Sequence, residues 1–203
     1  MIGELYAASL TGLRVWVEHA DGTRRPLESD RWLGPVDGDE EMLSRCLPPV
    51  LDVGSGPGRL TVELTRRGLP ALGIDITPHA VRLTRVAGGL ALCRDVFGHV
   101  PGSGRWRTVL LADGNIGIGG DPDALLRRVR ELVRPGGSVI AEVAPPGTAT
   151  RVDRVRLRRG RSAGAWFDWA TVSATDLPEL AGRAGFPSAH CWTAAGRWFA
   201  ALG

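Results

Sequence analysis

Four aspartates, Asp52, Asp75, Asp95 and Asp113, each stand at or just after the end of a short apolar run, and Gly54, Gly56 and Gly58 follow the first of them at two-residue spacing. Carboxylates placed this way can hold sugar hydroxyls or an amine, and glycines without a Cβ let a ligand approach the backbone. Val50, Leu51 and Val53 read as a buried strand running into the turn. The helix expected from about Arg59 to Arg67 aims its free N–H groups and positive dipole end back at it. The stretch from Asp52 to Gly58, Ser55 included, is therefore a candidate cradle for an anionic or carboxylate-bearing ligand.

The elements that must position these residues alternate. Leu69 to Ile74 make a second strand ending at Asp75, and Thr77-Pro78 opens a helix. Leu90 to Cys93 make a third strand that ends at Asp95, and Trp106 to Ala112 a fourth that leads into Asp113-Gly114-Asn115. Asp121-Pro122 starts a helix with Leu125, Leu126, Val129, Leu132 and Val133 on one face, and Ser138 to Val143 follow as a fifth strand. Strand-helix alternation predicts an α/β fold: a doubly wound, mostly parallel, Rossmann-like sheet of seven strands, closed by an antiparallel C-terminal hairpin over Ser188 to Thr193 and Arg197 to Ala201. Ligands of such sheets lie at the carboxyl ends of the strands, where the four aspartates converge. Asp75 also comes 21 residues after Gly54, close to the interval at which a second-strand acid holds both ribose hydroxyls.

Position 59 is arginine where the dinucleotide fingerprint wants its third glycine. The Asp-x-Gly-x-Gly-x-Gly pattern instead resembles motif I of the class I S-adenosylmethionine-dependent methyltransferases, and Leu132 to Gly137 resembles that family's helix exit before the fifth strand. The resemblance implies S-adenosyl-L-methionine as cofactor. Asp52, Gly54, Gly56 and Gly58 would lie along its amino acid part, with Ser55 and Ala112 among the lining residues. Asp75 would bind the ribose, with Ile76 against the adenine, and Asp95 would reach the adenine amino group, with Val96 alongside. No metal is expected.

Residues 1–47 read as an N-terminal lid segment, holding Tyr6, a short hairpin around Asp21-Gly22, Trp32 and a helix from about Asp39 to Cys46. Residues 48–203 read as the methyltransferase domain, interrupted at about 151–172 by a hairpin with an arginine-rich first arm and Trp166, Phe167 and Trp169 in its second. Alternation of Val152, Val155 and Leu157 with the arginines reads as one wet strand face, or as a groove for an acidic or phosphorylated substrate.

All 25 basic residues among the 203 are arginine, so a formal charge of +3 reflects composition more than an affinity for nucleic acid. Three scattered cysteines fit reduced thiols, and no apolar run reaches the roughly 20 residues of a membrane span, so a cytoplasmic location is expected. The absence of lysine excludes a Tyr-x-x-x-Lys dehydrogenase. An oxygen acceptor would need a base, for which Asp113 and His99 sit nearest the expected crevice, with His79 and His190 further off and nothing pointing to His19. The fourth-strand turn lacks a Pro-Pro-aromatic ending and no Pro-Cys pair exists, which disfavours nucleic acid bases. A small organic metabolite is the preferred acceptor, with the acceptor atom open and the oligomeric state not legible. A non-catalytic cofactor-binding module and an RNA methyltransferase stay as alternatives.

Overall fold

The computed structural model describes residues 2–203. In chain order the helices are α1 (Ile2–Leu10), α2 (Asp39–Leu43), α3 (Arg59–Arg66), α4 (Pro78–Val86), α5 (Pro122–Leu132) and α6 (Leu177–Arg183). The strands are β1 (Trp16–His19), β2 (Arg24–Pro26), β3 (Val50–Val53), β4 (Ala71–Asp75), β5 (Ala91–Cys93), β6 (Trp106–Leu111), β7 (Val133–Val143), β8 (Arg151–Arg159), β9 (Ser162–Ala163), β10 (Phe167–Thr171), β11 (Ala189–Ala194) and β12 (Arg197–Leu202).

Seven strands form the main sheet in the order β11-β12-β7-β6-β3-β4-β5, parallel from β7 to β5 and antiparallel at β12 and β11. Central β3 is buried on both faces, as a strand covered by helices on each side must be. Leu51 and Val53 point into a core with α5 and α6 (Leu125, Leu126, Val129, Leu177), whereas Val50 joins Met42, Leu60, Leu64 and Phe199 on the other face. Strand order reverses between β3 and β6, the switch point where ligands of open α/β sheets bind. The closing hairpin turns at Ala195-Gly196, both at positive φ (50° and 74°).

The N-terminal segment and the hairpin of about 151–172 are joined. Strand β8 pairs with β1 as well as with β10, giving a second antiparallel sheet in the order β10-β8-β1-β2. Its outer face holds arginines over a buried carboxylate: Arg24, Arg156 and Arg158 converge on Glu18 at 2.5 to 3.4 Å, and the hydrogen bond from Arg156, then that from Arg24, holds its carboxyl below the usual range. The inner face carries Val17, Val155 and Leu157 with Phe167 and Trp169. Helix α1, which no capping or periodicity signal announced, adds Leu5 and Tyr6 to this cluster.

The glycine-rich run after Asp113 is a short 3-10 segment, Asn115–Gly120, against β10. A Cβ on Gly117 would collide with the Ala170 carbonyl oxygen and lie 2.7 Å from the Trp169 indole nitrogen. One on Gly120 would lie 2.5 Å from the Asp168 Cβ. These glycines let the insertion dock directly onto the main sheet.

Candidate active site

A crevice of about 920 Å³ lies between the carboxyl ends of β3, β4 and β6 and the inner face of the second sheet. That is at the upper end of the roughly 300–1,000 Å³ typical of small-molecule sites. Asp52, Gly54, Ser55, Gly56, Asp75, Ile76, Asp95, Val96, Ala112 and Asp113 all line it.

Two expected site residues do not. Gly58, at φ 92°, is outside the lining; a Cβ there would lie 2.5 Å from the Thr84 side chain, so its role is to let α3 approach α4. His99 is exposed on the loop after β5, away from the crevice, because that loop leaves the lining after Phe97. His79 lies beside Arg82, and His190 stacks on Trp192 at the sheet edge.

The loop's own N–H groups are used inside the protein. Gly54 and Ser55 donate to the Ile74 carbonyl, Gly58 donates to that of Ser55, and Gly56 donates to Asp75 Oδ2 at 3.0 Å. What faces the crevice is the first turn of α3 at Arg59 and Leu60, whose N–H groups have no intrahelical acceptor. The loop is clamped from the fourth-strand side by Asn115, whose Nδ2 donates to the Val53 and Gly54 carbonyls at 2.9 and 3.0 Å. Asn115 also occupies the space beside Gly54, 2.7 Å from where a Cβ would stand.

Asp75 is 8% exposed and additionally accepts from the Thr77 N–H at 2.7 Å. Burial raises its pKa, opposed by the N–H groups of Thr77 and Gly56. Asp52 accepts from Thr61 Oγ1 at 2.7 Å, and its complete burial outweighs that bond and pushes it up to about 6. Asp95 is exposed at the rim and accepts from the Phe97 N–H at 2.9 Å, while Ile76 is 58% exposed beside it.

Beneath the crevice lies an ion chain with no local sequence signature. Arg59 donates to Asp39 of α2 and, at 2.5 Å, to Asp113. Arg197 of β12 donates to Asp39 and Glu142, and Glu142 accepts from the Asp113 N–H at 2.7 Å. Burial raises Asp113 despite the pull of Arg59; burial works against Asp39 too, yet Arg59 and Arg197 hold it low. Asp113 is thus an anchored, partly screened carboxylate at the crevice floor. Arg59 Nε is buried without a partner among the described residues.

Sequence reasoning found nothing for His19, yet it lines the crevice, in one cross-strand row with Val155 and Phe167. The alternation of β1, with Glu18 outward and Val17 and His19 inward, was the available signal. Among the described residues it is the one imidazole in the lining.

This donor set suits S-adenosylmethionine: a buried second-strand acid for a diol, a rim acid for an amine, and a helix N-terminus for the amino acid end. Residues 50–137 match the family described as methyltransferase domain. The chain is 20% identical, with a TM-score of 0.82, to the crystal structure of a SAM-dependent methyltransferase from Bacteroides fragilis in complex with S-adenosyl-L-homocysteine, covering 100% of this chain and 93% of that one. It is 30% identical over 131 residues to a ubiquinone biosynthesis O-methyltransferase of Xanthomonas campestris pv. campestris, covering 59% of this chain and 52% of the relative. An ATP synthase lysine N-methyltransferase of Mus musculus is 26% identical, covering 75% and 59%. The chain spans between half and three-fifths of the length of these curated relatives. The fold is the one seen in that SAM-dependent methyltransferase structure from Bacteroides fragilis.

Proposed function

We propose that this protein transfers the methyl group of S-adenosylmethionine to a small organic molecule. The observation that carries this reading is the single crevice in which the cofactor-type acids of the main sheet face Val17, Val155, Leu157, Phe167 and Trp169 of the second sheet. Asp75 would hold the ribose, Asp95 the adenine amine with Ile76 and Val96 against the ring, and Asp52 with the α3 N-terminus the amino acid end. The cofactor supplies a sulfonium methyl that leaves by in-line displacement.

The chain's own part is alignment and exclusion of water, which can lower a barrier by roughly 7 to 11 kcal/mol without a covalent protein intermediate. The apolar inner face of the second sheet does both, since it encloses the acceptor side and is fixed to the main sheet through Gly117 and Gly120. Asp113, held by Arg59, orients the floor. His19 is placed to take a proton from an acceptor hydroxyl or ammonium, in the role expected of His99. The ubiquinone-pathway name of one relative favours a small acceptor, and three free cysteines are in keeping with a reducing cytoplasm. No helix among the described residues is long and apolar enough to cross a membrane.

Incubation of the full chain with methyl-labelled S-adenosylmethionine and three separated extracts, of low-mass metabolites, RNA and protein, tests the reading. Label is expected in the metabolite extract. Label confined to RNA or protein would overturn the small-acceptor assignment.

A further inference from the structure

The hydroxyl of Tyr6 stands beside the glycine loop, at Gly56. An ideal Cβ on Gly56 would lie 2.9 Å from Tyr6 Oη, with no other atom within 4 Å. The phenol ring is fixed by an edge contact with Trp32, centroids 5.6 Å apart, and by the α1 and second-sheet cluster. Burial first, and then the charges of Asp75 and Asp113, push its pKa far up. The group is therefore a neutral O–H donor at any working pH, and among the described residues it has no side-chain hydrogen bond of its own. Tyr6 lines the crevice.

Resting on the cofactor reading above, we infer that Tyr6 is a cofactor-binding residue whose O–H donates to the α-carboxylate of S-adenosylmethionine. Two observations select that partner. The glycine loop and the first turn of α3, which on that reading take the amino acid end, line the crevice beside the phenol. The arginine nearest the loop has its two terminal nitrogens committed to Asp39 and Asp113. Helix α1 thereby belongs to the cofactor site, and the N-terminal segment is more than a cover for the acceptor. No covalent step is involved.

The test is calorimetry with two probes, S-adenosylhomocysteine and 5′-methylthioadenosine, which lacks the amino acid end. Tyr6→Phe keeps the ring against Trp32 and removes only the hydroxyl, and its thermal transition is recorded alongside the parent's. The inference predicts that Tyr6→Phe binds S-adenosylhomocysteine about 10- to 100-fold more weakly, the scale of a lost bond to a charged group, with methylthioadenosine affinity unchanged. Unchanged S-adenosylhomocysteine affinity, or equal loss for both probes, would overturn it. Failure of the parent protein to bind either probe would overturn the cofactor reading itself.

Discussion

Arg59, the first residue of α3, donates to the Asp113 carboxylate at 2.5 Å and to Asp39 with its other terminal nitrogen. One guanidinium, 6% exposed, thus ties the cofactor helix to the fourth-strand turn and to the N-terminal segment. The residue that breaks the dinucleotide fingerprint is the one that joins the three parts of the crevice.

Arg59→Ala would leave two buried carboxylates short of a partner, a change that costs about 3 to 5 kcal/mol in comparable sites. Urea denaturation at pH 7 should show a loss of that order. A loss below about 1 kcal/mol would mean that Arg197 alone satisfies the chain.

Asp52 predicts a pH signature. It titrates near 6 in the folded protein and near 4 in an unfolded chain, so the fold binds this proton more tightly. Its contribution to stability therefore falls as pH rises from about 4 to about 6, by up to about 3 kcal/mol, and stays lost above that. Asp52→Asn can still accept from Thr61 and carries no charge. It should be more stable than the parent at pH 7.5 and lose that advantage toward pH 4; a pH-independent difference would contradict the assignment.

Gly117→Ala places a methyl group against the Ala170 carbonyl and the Trp169 indole. The insertion must lift from the main sheet, so hydrogen exchange across Phe167–Thr171 should accelerate while β3 and β4 stay protected. Unchanged protection of β10 would show that the close approach is not what fixes this wall.

What could be read from the chain was local. The strand into Gly54, the acids closing successive strands, Pro78 and Pro122 at helix starts and the Ala195-Gly196 turn each lie within one element and its neighbour, and the main sheet follows from their alternation. The second sheet pairs residues up to 142 positions apart, Trp16 with Arg158, and no window of sequence shows that β8 will choose β1 as a partner. The same distance hid Arg197 from Asp39 and left His19 without apparent purpose. Glycine was misread for a related reason: sequence shows that a Cβ is missing, but not that Thr84, rather than a ligand, takes the space beside Gly58.

The central claim is that the acid closing β4 holds the cofactor, and S-adenosylhomocysteine calorimetry on the parent and Asp75→Ala tests it most directly. Charge-assisted ribose contacts in a largely dry site are worth about 1.5 to 3 kcal/mol, so the account predicts clear binding by the parent and a loss of roughly 10- to 150-fold in a variant that still unfolds cooperatively. Equal affinity of the two folded proteins would contradict it.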